Sequence, residues 1–200
     1  FCHEGDNPEQ TAMNIDATVL IVPGLREHVP EHWQTLLAAG LPRVHTVPPL
    51  EQDQLSCPAR VEALDRALAS IEGPVILVAH SAGVMMVAHW AQSPGSHRPI
   101  KGALLATPAD VEIPFPVGYP TLDTLRDHAW LPIPRSRFGF PSLLAASRND
   151  PLCSYSRAQS LAHDWGSELV DLGQVGHLNP AAGFGKWPQA MELIARLDGA

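Results

Sequence analysis

The chain has 200 residues, 45% of them hydrophobic and 17% charged, with a formal net charge of -8. That length suits one domain with a substantial core, and the acidic balance argues against nucleic acid or an anionic membrane surface as a partner. No stretch approaches the roughly 20 apolar residues of a membrane span, and the polar, acidic start F-C-H-E-G-D-N-P-E-Q has no apolar signal region.

Residues 1–12 precede Met13 and are expected to be a disordered extension or fragment lead, which leaves 13–200 as a single domain. Along that domain short apolar runs recur: T-V-L-I-V (18–22), V-H-T-V (44–47), V-I-L-V-A (75–79), A-L-L-A-T (103–107), S-L-L-A-A (142–146) and E-L-V-D-L (168–172). Most are continuously apolar, as strands covered on both faces require, so a parallel sheet is predicted. Between them, 58–71 places Val61, Leu64, Leu68 and Ile71 on one helical face, with Arg60, Glu62, Asp65 and Arg66 on others and Ser56 and Pro58 as start signals. Helical patterns also fit 31–39, 82–92, 155–165 and 187–197. The alternation implies right-handed crossovers in a doubly wound α/β domain. Residues 111–141 break the rhythm with many prolines, which deny regular helix or central strand over much of that length. A connection that long is either a lid or binding loop, or a plain surface crossover.

The chemistry concentrates at A-H-S-A-G, residues 79–83. A strand turning sharply into a helix at the carboxyl edge of a parallel sheet exposes the turn residue and demands small neighbours two positions to either side. Ala79 and Gly83 meet that demand, so the pattern is a nucleophile elbow with Ala for the first Gly of G-x-S-x-G. Taken alone, Ser81 could be an ordinary helix cap. A serine nucleophile, however, needs a base oriented by a carboxylate, in the chain order Ser, Asp or Glu, His on this architecture. Asp150 follows the 142–146 run and His177 follows the 168–172 run in a glycine-rich loop. The oxyanion donors expected are the N–H groups of Ala82 and of Leu25 in the early P-G-L-R turn, where the usual His-Gly is Pro-Gly. Trp33 and Trp130 are candidates for lining the substrate pocket, whereas Trp165 and Trp187 are read as helix packing.

Other groups compete less well. His80 is read as a packing or supporting residue beside the serine; His128 falls in the proline-rich segment and His163 mid-helix. Asp123 and Asp127 could contact substrate from the insertion, and Asp171 lies inside a strand. His28 and His32, an i, i+4 pair without a third ligand, are read as surface residues rather than a metal site. Cys2, Cys57 and Cys153 fit neither a disulfide framework nor a C-x-x-C site, which makes a reducing cytoplasm the expected compartment. No nucleotide-binding motif occurs, and neither cofactor nor metal is expected.

The motifs V-P-G-L-R with E-H-W-Q-T-L, V-A-H-S-A-G, L-P-I-P-R before F-P-S-L-L-A-A-S-R-N-D-P, and G-H-L-N-P-A-A-G-F-G-K-W-P extend from Val22 to Pro188. In these the chain resembles the small bacterial α/β-hydrolases grouped with YdeN and with retinoblastoma-binding protein nine. The resemblance implies an α/β-hydrolase fold, mostly parallel with helices on both faces and no large cap domain. It also implies a serine hydrolase with Ser81 as nucleophile, Asp150 as acid and His177 as base, acting on esters or amides. A small carboxylic ester is the preferred substrate, with thioester or amide also open. Two alternatives stand beside it: a protein-binding scaffold with vestigial catalysis, and an aminopeptidase whose acidic groups bind a substrate amine.

Overall fold

The computed structural model describes residues 7–94 and 98–199. The six apolar runs form β1 (Thr18–Val22), β2 (Val44–Thr46), β3 (Val75–Ser81), β4 (Gly102–Pro108), β5 (Ser142–Ala146) and β6 (Glu168–Asp171). They make one sheet in the order β2-β1-β3-β4-β5-β6, and every neighbouring pair is parallel. Because side chains alternate across a strand, Leu20, Val22, Leu77, Ala79, Leu105 and Leu144 enter one core layer, while Val19, Ile21, Ile76, Val78, Leu104 and Leu143 enter the other.

Helices cover both layers. The first layer packs against α3 (Cys57–Ala69), α4 (Ala82–Ala91) and α6 (Tyr155–Trp165); the second packs against α1 (Pro8–Met13), α2 (Trp33–Gly40) and α7 (Gln189–Asp198). Ser56 and Ser154 cap α3 and α6, accepting from Ala59 and Arg157 N–H, and Gly166 ends α6 in the left-handed region. Helix α4 is apolar apart from His89 and buried along nearly its whole length, which fits its central position beneath the site. Among the described residues, no helix is long and apolar enough to cross a membrane.

One expectation needs correction. Residues 7–12 do not lie outside the fold: 8–13 form α1, and Ala12 and Ile15 are buried in the second core layer, while 1–6, including Cys2, lie outside the described residues. Within the proline-rich segment, α5 (Leu122–Asp127) occupies the proline-free stretch, capped by Thr121. That segment is also firmly tied down. Arg157 pairs with Asp110 (2.7 Å) and Glu112 (2.8 Å), Arg135 bridges Glu112 and Asp164, and Trp165 Nε1 donates to the Pro134 carbonyl.

The strand order reverses direction between β1 and β3, since β2 lies beyond β1 on one side and β4 to β6 follow β3 on the other. A crevice outside the carboxyl ends of the strands at such a switch point is where open α/β sheets bind ligands. Leu25 follows β1 and Ser81 ends β3 at this place.

Candidate active site

Ser81 has φ 59° and ψ -122°, a conformation rarely adopted by residues with a side chain. Its position precedes α4, yet its hydroxyl makes no capping hydrogen bond. The strain is held by close packing on each side. A β-carbon at Gly83 would collide with the carbonyl oxygens of Val22 and Pro23, and one at Gly24 would lie 3.3 Å from Ser81 Cβ. Glycine at 83 is thus what lets α4 start against the end of β1.

The hydroxyl is turned toward His177, whose Nε2 lies 2.8 Å from Ser81 Oγ. His177 Nδ1 lies 2.9 and 3.0 Å from the two carboxylate oxygens of Asp150. Asp150 Oδ1 also accepts the Leu152 N–H at 2.9 Å, and its side chain is only 1% exposed. A carboxylate accepts only, so Nδ1 carries the ring proton and Nε2 is left to accept from the serine. The loops bearing the two partners are stapled together: Asn149 Oδ1 accepts from Gly176 N–H (2.8 Å) and from Ser147 Oγ, which itself accepts from Val175 N–H. Asp110, the carboxylate just past β4, is held by Arg157 through both of its oxygens.

Leu25 and Ala82 both border the same cavity as Ser81 and His177. Among the described residues, neither N–H is used by another backbone group in the loops and caps. The orientation of the Leu25 loop is set by Arg60, which sequence reasoning placed on a polar helix face but which is 5% exposed. Its guanidinium donates to the carbonyls of Gly24 and Leu25 (3.2 Å each), to that of Gln54 (2.6 Å) and to Glu27 (3.2 Å). In a trans peptide N–H and C=O point in opposite directions, so fixing the Gly24 carbonyl on Arg60 turns the Leu25 N–H away from it. Burial lowers the Arg60 pKa, with Glu27 and Cys57 opposing.

The cavity measures about 340 Å³, and Leu55, Val111, Phe115, Leu125, Trp130 and Leu152 give it an apolar wall. Trp130 borders it, with Nε1 donating to the Leu55 carbonyl at 2.7 Å. Trp33 does not. It lies in the core layer on the α7 side, edge-on to Trp187 with ring centroids 4.7 Å apart, because one step along α2 turns it away from the face that His32 presents to the cavity. Asp123 is exposed and paired with Arg126, and Asp127 is also exposed; neither borders the cavity. His128 binds the Thr124 carbonyl at the end of α5. Burial pushes the Cys57 and Cys153 thiols up to about 12, which leaves both unreactive as nucleophiles.

His32 also departs from its expected place. It is 8% exposed rather than a surface residue, it caps α2 by accepting the Gln34 N–H at 3.1 Å, and its Nε2 lies 3.2 Å from His80 Nδ1. His80 in turn places Nε2 2.8 Å from the backbone carbonyl of His177. Burial holds the His32 pKa down to about 4 and that of His80 well below the usual range, with the His177 charge acting in the same direction on both. The i, i+4 spacing to His28 gave no sign of this burial. The apolar Trp33 next to it was the available signal that His32 starts a helix packed against the sheet.

Comparison with known proteins agrees with this geometry. A family model described as serine hydrolase matches residues 19–196. A YdeN-like hydrolase from Pectobacterium atrosepticum is 33% identical with a TM-score of 0.79, covering 96% of this chain and 97% of its own. The ydeN gene product of B. subtilis is 19% identical with a TM-score of 0.68, covering 92% and 100%. Est1E from Butyrivibrio proteoclasticus is 12% identical with a TM-score of 0.63, covering 90% and 86%, and like the B. subtilis protein it speaks for the fold alone. Among curated proteins none matches. The fold is that of the α/β-hydrolases, without a cap domain.

Proposed function

The chain belongs to the serine hydrolase family, and from that premise we propose that it is a carboxylesterase-like enzyme acting on a small ester with an apolar acyl group. His177 Nε2 takes the proton of Ser81 as Oγ attacks the ester carbonyl carbon, and Asp150 stays ionised, fixing the ring and stabilising the imidazolium. The N–H groups of Leu25 and Ala82 hold the oxyanion, the latter helped by the positive end of the α4 dipole. Collapse of the tetrahedral intermediate breaks the bond to the leaving oxygen, which takes the proton from His177. Water, deprotonated by the same imidazole, then attacks the acyl-serine and releases the acid.

The observation that carries this reading is the 2.8 Å contact between His177 Nε2 and the strained Ser81, with His177 fixed from behind by Asp150. The apolar cavity wall favours an uncharged acyl group. The aminopeptidase alternative has less support: Asp123 and Asp127 lie away from the cavity, and Glu27, which borders it, is paired through Oε1 with Arg60. The test is intact-protein mass measurement after a fluorophosphonate probe. One adduct is expected on wild type and none on Ser81→Ala; an unlabelled, folded wild type would refute the reading and favour a scaffold role.

A further inference from the structure

The hydrogen bonds joining Gln34, His32, His80 and His177 have only one consistent direction. The Gln34 N–H can only donate, so His32 Nδ1 is an acceptor and the proton of the neutral ring sits on Nε2. That proton is donated to His80 Nδ1, which places the His80 proton on Nε2, and this is donated to the His177 carbonyl, which can only accept. A second proton on either ring would set two donors against each other. Fixed backbone groups at the two ends therefore select both tautomers.

Two buried imidazoles are a costly way to fill space that a leucine could fill, because each polar atom needs a partner once removed from water. Here each ring nitrogen has one, and the chain ends on the residue whose side chain faces Ser81. His177 is thus held at two points. Asp150 grips its ring, while His80 Nε2 at 2.8 Å and, more loosely, Thr107 Oγ1 at 3.3 Å grip its carbonyl. The grip on the carbonyl matters because the next residue, Leu178, has φ 50°, a turn that local backbone preference does not maintain and that is otherwise held by the Leu178 N–H on the Val175 carbonyl (3.0 Å). Loss of the His80 contact would untie the His177 backbone from β3 and let the whole residue shift, which pulls Nε2 off Ser81 Oγ.

We propose that His32 and His80 are positioning residues for the hydrolysis proposed above, a one-way hydrogen-bond relay from the α2 backbone to the His177 carbonyl that keeps the His177 ring in line with Ser81. The proposal rests on the serine hydrolase reading of the site. Three variants separate its parts. His80→Leu removes donor and acceptor at similar size. His80→Gln retains one of each. His32→Asn keeps an acceptor for the α2 cap but is too short to reach His80.

The measurements are kcat and KM for p-nitrophenyl butyrate, the rate of fluorophosphonate labelling, thermal melting, and the far-downfield proton NMR signal of His177 Nδ1–H. His80→Leu and His32→Asn should lower kcat and the labelling rate by on the order of 10- to 100-fold with KM little changed, the scale expected when a catalytic group is displaced by a fraction of an ångström to one. The Nδ1 signal should shift or broaden in both. His80→Gln should recover most of the rate, and His32→Asn in the His80→Leu background should add nothing further, since it acts through His80. Wild-type kcat in a folded His80→Leu protein, no difference between Leu and Gln at position 80, or multiplying effects of the two sites would overturn the relay. If His80→Leu does not fold, the rates of His32→Asn decide alone: a drop in kcat supports the relay and a wild-type kcat overturns it. A wild type that neither labels nor turns over overturns the hydrolase reading and the relay with it, whereas a reactive wild type matched by its variants overturns only the relay.

Discussion

Arg60→Met is the substitution that most directly tests how the loop bearing the proposed oxyanion donor Leu25 is held. Methionine fills much of the arginine stem's volume but removes all four hydrogen bonds, to the carbonyls of Gly24, Leu25 and Gln54 and to Glu27. The Arg60 and Glu27 side chains are 6% and 16% exposed, and Glu27 Oε2 has no hydrogen-bond partner among the described residues. Losing the guanidinium therefore strands a carboxylate out of water, and breaking a buried pair in this way costs about 3–5 kcal/mol. For a chain of this size that is a fall in Tm of roughly 6–20 °C.

The effect on turnover has a different cause. Without Arg60 the Gly24 carbonyl keeps only the Glu27 N–H (3.0 Å), so the Gly24–Leu25 peptide is held less firmly, and loss of the proposed oxyanion donor lowers kcat by up to about 100- to 1000-fold. Adding Glu27→Gln separates the two effects, since it removes the stranded charge without replacing the clamp. The double variant should regain much of the lost Tm, read by calorimetry, while kcat for p-nitrophenyl butyrate stays low. A folded Arg60→Met protein turning over at the wild-type rate would show that the loop holds itself, and the reasoning from the guanidinium would be wrong. Recovery of kcat in the double variant would show that the stranded carboxylate, not the loop, was the damage.

Three further outcomes follow from other parts of the site. Gly83→Ala should cost more than about 3 kcal/mol or prevent folding, because its β-carbon meets the Val22 and Pro23 carbonyls; urea unfolding of the variant checks it. Stability should also fall between pH 6.5 and about 4. His32 is held neutral in the fold, with its pKa lowered from 6.5 to about 4, so in that window the unfolded chain binds the additional proton. The contribution is about 3 kcal/mol, fully present above pH 6.5 and lost as pH falls through the window, with His80 acting in the same sense. Urea midpoints measured across this range should slope upward with pH, and His32→Asn should flatten the slope. Arg157→Gln should unpin the proline-rich segment from Asp110 and Glu112 at a cost of about 1–3 kcal/mol, given that Arg157 is 30% exposed. Limited proteolysis should then cut within 111–141 faster than in wild type.

What the sequence made legible divides by the range of the interaction. The continuous runs such as V-I-L-V-A became buried parallel strands, and helix α6 spans 155–165 as its pattern predicts, because side-chain period and caps are local properties. The residues of the Ser81, Asp150 and His177 constellation were also readable, since the order of strand ends along the chain is fixed by topology. Distances were not readable, and neither was the burial of polar residues. Arg60 falls where an amphipathic pattern assigns the solvent face, and its burial depends on the Gly24 turn, 36 residues away in sequence. His32 carries no periodic signal, because its partner His80 lies 48 residues on.

Three buried polar residues share a location. Arg60, His32 and Asp110 are each buried, and each touches a loop that supports the Ser81 site: the turn after β1, the His80 and His177 pair, and the segment after β4. An apolar residue at any of these positions would avoid the cost of burying a polar group. Their burial has a common physical explanation, which is that loops at a strand edge have backbone groups left over from the sheet, and only polar side chains reaching in from neighbouring elements can fix the direction in which those groups point. In this fold the groups so fixed are the Gly24 and Leu25 carbonyls, held by Arg60, and the His177 carbonyl, held by His80, and both lie on loops that the proposed reaction uses.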